Sequence, residues 1–483
     1  MPAATDLMAT IGNMKTDRLR DVFELQRLHR DALKAQPINK RIDRLEKIRD
    51  WIHHHREKIQ LALQEDFAKP RAETDLSEIY AVLSEIKHAL KNIGNWTRPQ
   101  KVDSTVAMLG SKSYVYQEPK GVCLIISPWN FPFNLTVGPL VSALAAGNSV
   151  VLKPSELTPN CTGLITAMVS ELFEPHEVVV CSGDKEVSQR LLKLPFDHIF
   201  FTGSPRVGQI VMEQASRHLA SVTLELGGKC PAVVDSSADL EDSAEKIVWG
   251  KFLNCGQTCI APDYLLVDEL VEEPLLEHMG RFIDKFYNPN GDGIQASDSF
   301  ARIICDHHFK RLNSLLSDAL ETGAELEFGG VTNASDRFIA PTVLSGVQPD
   351  ARIMQEEIFG PILPVIPYRD ISEAIAWINQ KPKPLALYLF SKSAEFNDSL
   401  LNATSSGTVA VNDCIIQFMN PNLPFGGVNY SGFGKSHGFS GFQAFSNQKS
   451  VVKQRTGLTS VKPLYPPYTK LTRKAIDFLL KYL

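Results

Sequence analysis

GVCLIISPWNFPFNLTVGPLVSALAAGNSVVLK, residues 121–153, decides the fold class. Between Lys120 and Lys153 no residue is charged, a length that a hydropathy scan could mistake for a membrane span. Pro128, Pro132 and Pro139 would break such a helix, and Asn130, Asn134 and Asn148 would place polar amides in lipid. The stretch therefore reads as a buried strand, Val122–Ile126, then a loop, then a buried helix, Leu135–Ala146, then a second strand, Ser149–Leu152.

The same alternation continues downstream. Val178–Cys181 and His198–Phe201 read as short buried strands, and Cys161–Phe173, Lys185–Leu194 and Arg206–Arg217 as helices. This order predicts a parallel sheet with helices on both faces, an α/β fold. Ligands bind at the carboxyl ends of such strands. Pro, Asn, Gly and Ser concentrate there, in Ser127–Pro132, Lys153–Glu156 and Thr202–Gly208.

Upstream, apolar residues from Ile42 to Phe67 recur at helical spacing, with Asn39 as N-cap and Pro70 as terminator. A second amphipathic helix carries Leu76, Ile79, Leu83, Ile86, Leu90 and Ile93 on one face. Pro99–Pro119 reads as an arm containing a strand at Tyr114–Tyr116. After Gly228 the alternation restarts as a second α/β domain. Its strands are Leu265–Val267, Ile339–Leu344, Leu385–Phe390 and Val409–Asn412, with helices near 272–287, 306–320 and 394–403.

The chain has 483 residues, 43% apolar and 22% charged, which is globular usage and excludes dominant disorder. Fifty basic against 55 acidic residues give −5, so nothing in the charge recommends nucleic acid as a partner. Eight cysteines are scattered rather than clustered, the pattern of free thiols in a reducing, cytoplasmic setting. Met1–Lys15 lacks the apolar run of a secretory signal, and the first twenty residues read as a loose extension.

Three stretches carry the chemistry. Asn254–Cys259 places a thiol in a tight loop with accessible backbone N–H groups. A buried structural cysteine is the competing reading, and a metal site lacks a second ligand pair. Thr223–Lys229 sets Glu225 in an apolar strand that ends in two glycines, surroundings that favour the neutral carboxyl and suit a general base. Phe200–Gly208 runs a strand through Gly203 into a helix whose N-terminus can receive a phosphate. Gly434-Lys435-Ser436 imitates the end of a P-loop, but Asn429 stands where the first glycine is required. His53–His55 and His307-His308 read as solvated helix faces rather than metal ligands.

The chain resembles the aldehyde dehydrogenase superfamily, closest to its class 3, fatty-aldehyde-like branch. The resemblance rests on motifs in family order. They are Pro128–Pro132 (PWNFP), Lys153–Glu156 (KPSE), Phe201–Ser204 (FTGS), Leu224–Lys229 (LELGGK), Gly256–Cys259 (GQTC), Glu356–Pro361 (EEIFGP) and Pro424–Gly427 (PFGG). Cys259–Tyr264 (CIAPDY) and the short N-terminal region point to the branch. The resemblance implies a Rossmann-like cofactor domain, an α/β catalytic domain and a small oligomerisation arm. The implied boundaries are an extension at 1–20, an NAD(P)-binding domain at 21–97 and 119–228, and a catalytic domain at 229–412. A bridging region follows at 98–118 and 413–460, and a tail helix at 461–483.

It also implies roles. Cys259 attacks the aldehyde carbon, and the Asn130 amide with the Cys259 backbone N–H holds the oxyanion. A hydride passes to the cofactor, and Glu225 activates water to hydrolyse the thioester. The pyrophosphate falls at Gly203, Ser204, Pro205, Arg206, Val207 and Gly208. Lys153 and Glu156 meet the adenosine ribose, and Glu357 the nicotinamide ribose, with Phe359 beside the ring. Glu156 favours NAD, with NADP still possible, and no metal is expected. A homodimer is implied through the arm and the segment after Asn412. An acylating, coenzyme A-dependent enzyme and a catalytically silent homologue are the alternatives; the retained Glu225 argues against the first, since hydrolysis needs a base, and the intact Cys259, Glu225 and Asn130 against the second.

Two features stay open. Cys255 either fills a small gap or forms a reversible disulfide with Cys259. After Pro463, Pro466 and Pro467, Leu471–Leu483 reads as a helix with Leu471, Ala475, Phe478, Leu479 and Tyr482 on one face. It either docks on its own dimer or caps the substrate funnel, with a basic flank able to touch anionic membranes peripherally.

Overall fold

The computed structural model describes residues 16–105, 108, 110–457 and 459–482. Strand Val122–Ile126 is buried along its whole length. Its side chains alternate between two cores, as the two-residue repeat of a strand requires. Val122, Leu124 and Ile126 join a cluster with Leu19, Val22 and Phe23 of the helix Thr16–Lys34. Cys123 and Ile125 join another with Phe133, Val137 and Leu140, at the helix Asn134–Ala146. A strand covered on both faces has no polar side, which explains the uncharged run. Pro139 lies inside the helix Asn134–Ala146 instead of ending it.

The first helix corrects one expectation. Residues 16–20 belong to it rather than to a loose extension, because Leu19 covers the sheet; residues 1–15 lie outside the described residues. Buried Gln26 ties this helix down by donating its amide to the carbonyls of Val150 (3.0 Å) and Pro175 (3.1 Å).

Among the described residues, the first sheet has the order Gly432–Phe433, Ser221–Leu226, His198–Gly203, Val122–Ile126, Ser149–Lys153, Val178–Val180. Its neighbours are parallel except Gly432–Phe433, which runs antiparallel to Ser221–Leu226 with Gly432 opposite Glu225. A piece of the segment expected in the bridging region thus completes this sheet.

The second sheet runs Glu325–Phe328, Thr342–Ser345, Ile362–Tyr368, Tyr264–Asp268, Pro231–Val234, Ala386–Phe390, Thr408–Val411, parallel except at its first pair. The expected strand Ile339–Leu344 is two pieces. Phe338–Ile339 pairs with Thr332–Asn333, and after Pro341 the strand Thr342–Ser345 enters the sheet. Strand Ile362–Tyr368 escapes sequence reading because Pro364 and Pro367 disguise it. A third sheet joins Gln100–Val102, Lys112–Pro119 and Ser446–Lys453. Residues 106, 107 and 109 of the expected arm lie outside the described residues.

The expected helix over 39–67 is two, Ile38–His54 and Arg56–Phe67, and Pro37 rather than Asn39 stands at the N-cap. Next come Arg71–Thr74, a π-helical turn Asp75–Ile79, and the helix Tyr80–Trp96. The wider turn accompanies a buried ion pair. Glu78 accepts from Lys69 Nζ at 2.8 Å, and both side chains are wholly buried. Glu78 Oε2 also accepts the Asn134 N–H (2.8 Å) at the start of its helix, where a negative charge complements the helix dipole. The Lys69 ammonium lies 4.0 Å from the centroid of the Phe131 ring.

Removing one member of a buried pair strands the other, at a cost of about 3–5 kcal/mol. Glu78→Leu should therefore lower the denaturation midpoint strongly. The double variant Lys69→Met/Glu78→Leu should recover a large share of that loss. Urea titration of both variants checks this, and equal losses would contradict it.

Candidate active site

Two strand ends and one strained loop converge. Glu225 lies near the end of Ser221–Leu226, and Asn130 in the loop after Val122–Ile126. Cys259 follows the short helical turn Leu253–Gly256, in which Asn254 and Cys255 both adopt left-handed backbone (φ 55°). Non-glycine residues avoid that region, so the loop must be held from outside. The Asn254 N–H donates to Glu73 Oε2 (3.0 Å), and its side-chain amide to the carbonyls of Asn130 (2.9 Å) and Gln257 (3.2 Å). Gln257 donates to Asn254 O and Arg302 O and accepts the Ile304 N–H. Gly256 has φ 70°, and a Cβ there would stand 2.3 Å from the Gly360 carbonyl oxygen.

Asn130 is buried and donates through Nδ2 to the Gln257 carbonyl (3.0 Å). That bond uses one of its two amide hydrogens and orients the other. The backbone N–H groups of Cys259 and Ile260 favour the thiolate. Burial and the nearby carboxyls of Glu357 and Glu225 outweigh those contacts and hold the thiol well above its ordinary value. Cys255 is fully buried, and burial pushes its thiol up too.

Glu225 Oε1 accepts the Ser436 hydroxyl (2.9 Å), while Oε2, also buried, has no partner. Burial raises this carboxyl to about 8 against the opposing pull of Ser436 and Lys435. The Gly434-Lys435-Ser436 sequence, a false P-loop, thus supplies contacts to this carboxylate. Sequence reasoning missed this because Ser436 is 211 residues from Glu225.

The expected cofactor residues line the same edge. Lys153 is buried and reaches Glu156 at 2.8 Å. Ser204 is the N-cap of the helix Pro205–Ser216 but makes no side-chain cap bond. Pro205 has no N–H, and the N–H groups of Arg206 and Val207 fall in the helix's first turn, where no intrahelical carbonyl is available. Gly208 lets this helix approach the strand, since a Cβ would stand 2.8 Å from Leu226. Burial raises the Glu357 carboxyl to about 8, against the opposing pull of the Gly228 N–H. A Cβ at Gly227 would stand 2.3 Å from both Glu357 carboxylate oxygens. The loop around Glu357 is held by residues not read from the sequence. Arg311 donates to the carbonyls of Glu357 (3.2 Å) and Ile358 (2.6 Å), and Asp263 accepts the Ile358 N–H (2.9 Å) while paired with Lys229.

Phe359 has φ 50° and meets Trp129 edge-on at 5.3 Å. Trp129 also contacts His308 (5.0 Å), which is half-buried and held neutral, to about 4, by burial. His308 therefore departs from the solvated face expected of it, whereas His307 is exposed. His53 and His54 are exposed, but His55 stacks on Trp51. No cluster able to hold a metal occurs among the described residues.

From Cys259 and Glu225 opens a cavity that continues to solvent. Its walls are mostly apolar, among them Leu76, Tyr80, Phe131, Leu135, Trp249 and Phe418.

The residues present fit a dinucleotide. Thr202 and Ser127, at the carboxyl ends of adjacent strands, each keep a buried hydroxyl without a partner. Next to them are an open helix N-terminus and the Lys153–Glu156 pair.

Known proteins agree with this geometry. Residues 1–451 match the model of the aldehyde dehydrogenase family. The 4,4'-diaponeurosporen-aldehyde dehydrogenase of Staphylococcus aureus is 44% identical over 434 residues, 90% of this chain and 93% of that one. Aldehyde dehydrogenase family 3 member A2 of Pongo abelii is 40% identical over 450 residues, 92% and 91%. The solved substrate-bound state of Staphylococcus aureus AldH superposes with a TM-score of 0.92 at 41% identity, covering 97% of this chain and all of that one. The chain belongs to the aldehyde dehydrogenase family, with class 3 relatives, and catalyses NAD(P)-dependent oxidation of an aldehyde to the acid.

Proposed function

We propose that the substrate is a lipophilic aldehyde, medium- or long-chain aliphatic or aromatic, oxidised on Cys259. The observation that carries this reading is the apolar cavity that opens from Cys259 and Glu225. Such walls recover transfer free energy at about 25 cal/mol per Å² of apolar surface buried.

Cys259 passes its proton to solvent water in the open cavity, and the thiolate attacks the carbonyl carbon. The free hydrogen of the Asn130 amide and the Cys259 N–H stabilise the oxyanion, each donor being worth about 3–4 kcal/mol of barrier. NAD(P), when bound, supplies the two-electron acceptor. It is held at residues 203–208, by Lys153 and Glu156 at the adenosine ribose, and by Glu357 and Phe359 at the nicotinamide end. Glu156 accepts a ribose hydroxyl and repels a 2′-phosphate, so NAD is preferred. The product on Cys259 is a thioester. The unpaired Oε2 of Glu225 then takes a proton from water, which hydrolyses it. Transfer to coenzyme A is the second reading, and the retained base argues for water.

In this reading residues 21–97 with 119–228 bind the cofactor, 229–412 carry the nucleophile, and 98–118 with 413–460 join two copies as a cytoplasmic homodimer. The strand pairing of Lys112–Pro119 with Ser446–Lys453 supports that last grouping. The tail helix spans Lys470–Tyr482, with Leu471, Phe478 and Tyr482 exposed and Ala475 and Leu479 half-buried. No helix among the described residues is long and apolar enough to cross a membrane. An exposed aromatic edge beside Lys474 and Lys481 suits transient contact with an anionic membrane.

Cys259→Ala should abolish NADH formation from decanal while NAD still binds, as read by calorimetry; turnover near wild type would remove the nucleophile. Glu225→Gln should release about one NADH per site and then stall. Adding coenzyme A to the wild type should leave the product as the free acid, read by mass spectrometry. Because a carboxyl at about 8 is a base only above that value, kcat should rise with pH through about 8. A flat profile from pH 6 to 9 would contradict the assignment.

A further inference from the structure

Glu85 lies on the helix Tyr80–Trp96, in the wall of the same cavity. Its Oε2 accepts the Gly438 N–H at 3.0 Å, a contact across 353 residues of sequence. Its Oε1 lies 3.6 Å from His437 Nδ1. His437 Nδ1 is buried and has no hydrogen-bond partner within bonding distance, so it faces only Glu85. Burial pushes Glu85 up to about 7 and His437 down to about 4, which suits a neutral acid facing a neutral imidazole.

The turn between them is strained. His437 has φ 67° and ψ 140°, outside the usual range of an L-residue. Gly438 has φ 48°, and a Cβ there would stand 2.0 Å from the Pro421 carbonyl oxygen. Such a turn persists only where its surroundings over-determine it. Here the His437 ring stacks on Phe425 (5.1 Å) and meets Phe418 edge-on (4.5 Å). Phe425 and Ser436 exchange backbone hydrogen bonds of 3.1 and 2.7 Å. The residue before the strained turn, Ser436, is the one that donates to Glu225.

We propose that Glu85 and His437 are positioning residues that clamp the turn Ser436–Gly438, so that the Ser436 hydroxyl is held on Oε1 of Glu225. Without the clamp the turn relaxes and the hydroxyl leaves the carboxylate. The base then loses the contact that favours its ionised form, and its ionisation moves to higher pH. The other groups facing Glu225 are Lys435, which remains, and the Cys259 thiol.

The inference rests on Glu225 as the base, and the test separates the two. The pH dependence of kcat for decanal with NAD is measured for the wild type, Glu85→Ala, Glu85→Gln, Ser436→Ala, Glu85→Ala/Ser436→Ala and Glu225→Gln. Glu85→Ala and Ser436→Ala should raise the pKa of the ascending limb by similar amounts. Each should also lower kcat at pH 7 about tenfold, the scale of one hydrogen bond to a charged group, with the KM for decanal little changed. The double variant should be no worse than the worse single one, because both substitutions break one path. Glu85→Gln keeps a carbonyl acceptor for Gly438 and should stay near wild type. Additive losses, an unmoved ascending limb in Glu85→Ala, or Glu85→Gln as impaired as Glu85→Ala would overturn the clamp. An ascending limb that survives in Glu225→Gln would instead overturn the base. Should Glu85→Ala fail to fold, Glu85→Met, which fills the volume but cannot accept the Gly438 N–H, decides the same question, and an unmoved ascending limb there would overturn the clamp.

Discussion

The wholly buried Lys69–Glu78 pair is the interaction on which the site depends. Two charges removed from water are tolerated only when paired and further hydrogen-bonded. Here that requirement recruits the loop that carries Asn130. Glu78 takes the Asn134 N–H and Lys69 faces the Phe131 ring, so both ends of Phe131–Asn134 are pinned beside the amide. The π turn suits this arrangement. In an α-helix residues five apart differ by about 140° around the axis, whereas a π turn brings them nearly over one another. Glu73 and Glu78 are five apart. One holds the strained loop before Cys259, and the other the start of the helix after Asn130. Nucleophile and amide are thus referred to the same helical run.

The electrostatics of the centre follow from crowding. Glu225, Glu357 and Cys259 each disfavour charge through burial, and the thiol is raised further by both carboxyls. The site therefore holds its protons at neutral pH, and an arriving positive charge would release them.

The sequence was most legible where burial is symmetrical. Val122–Ile126 was readable to the residue, because a two-sided strand has only one composition. The helices Glu272–Tyr287 and Ala394–Ala403 matched their periodicity for the complementary reason, one apolar stripe facing one core. Legibility failed where proline hid a strand, as at Ile362–Tyr368. It failed too where cover came from an unexpected element, as with the helix Thr16–Lys34 over the sheet. His308 was misread because adjacency on a helix says nothing about the aromatic ring that arrives from Trp129.

By itself the sequence determined the α/β alternation and the order of the motifs, and it singled out Cys259, Glu225 and Asn130 as candidates. The alternation follows from local patterning, in which each residue type answers to its neighbours in the chain, while the roles of those three residues come with the family resemblance. Only the tertiary structure decided which groups surround that set. Ser436 on Glu225, Glu73 on Asn254, Glu85 on Gly438 and Arg311 on the Glu357 loop are meetings of distant segments. A side-chain hydrogen bond between residues hundreds of positions apart leaves no periodic trace in the chain. It exists because sheet register and helix packing bring the two atoms within about 3 Å.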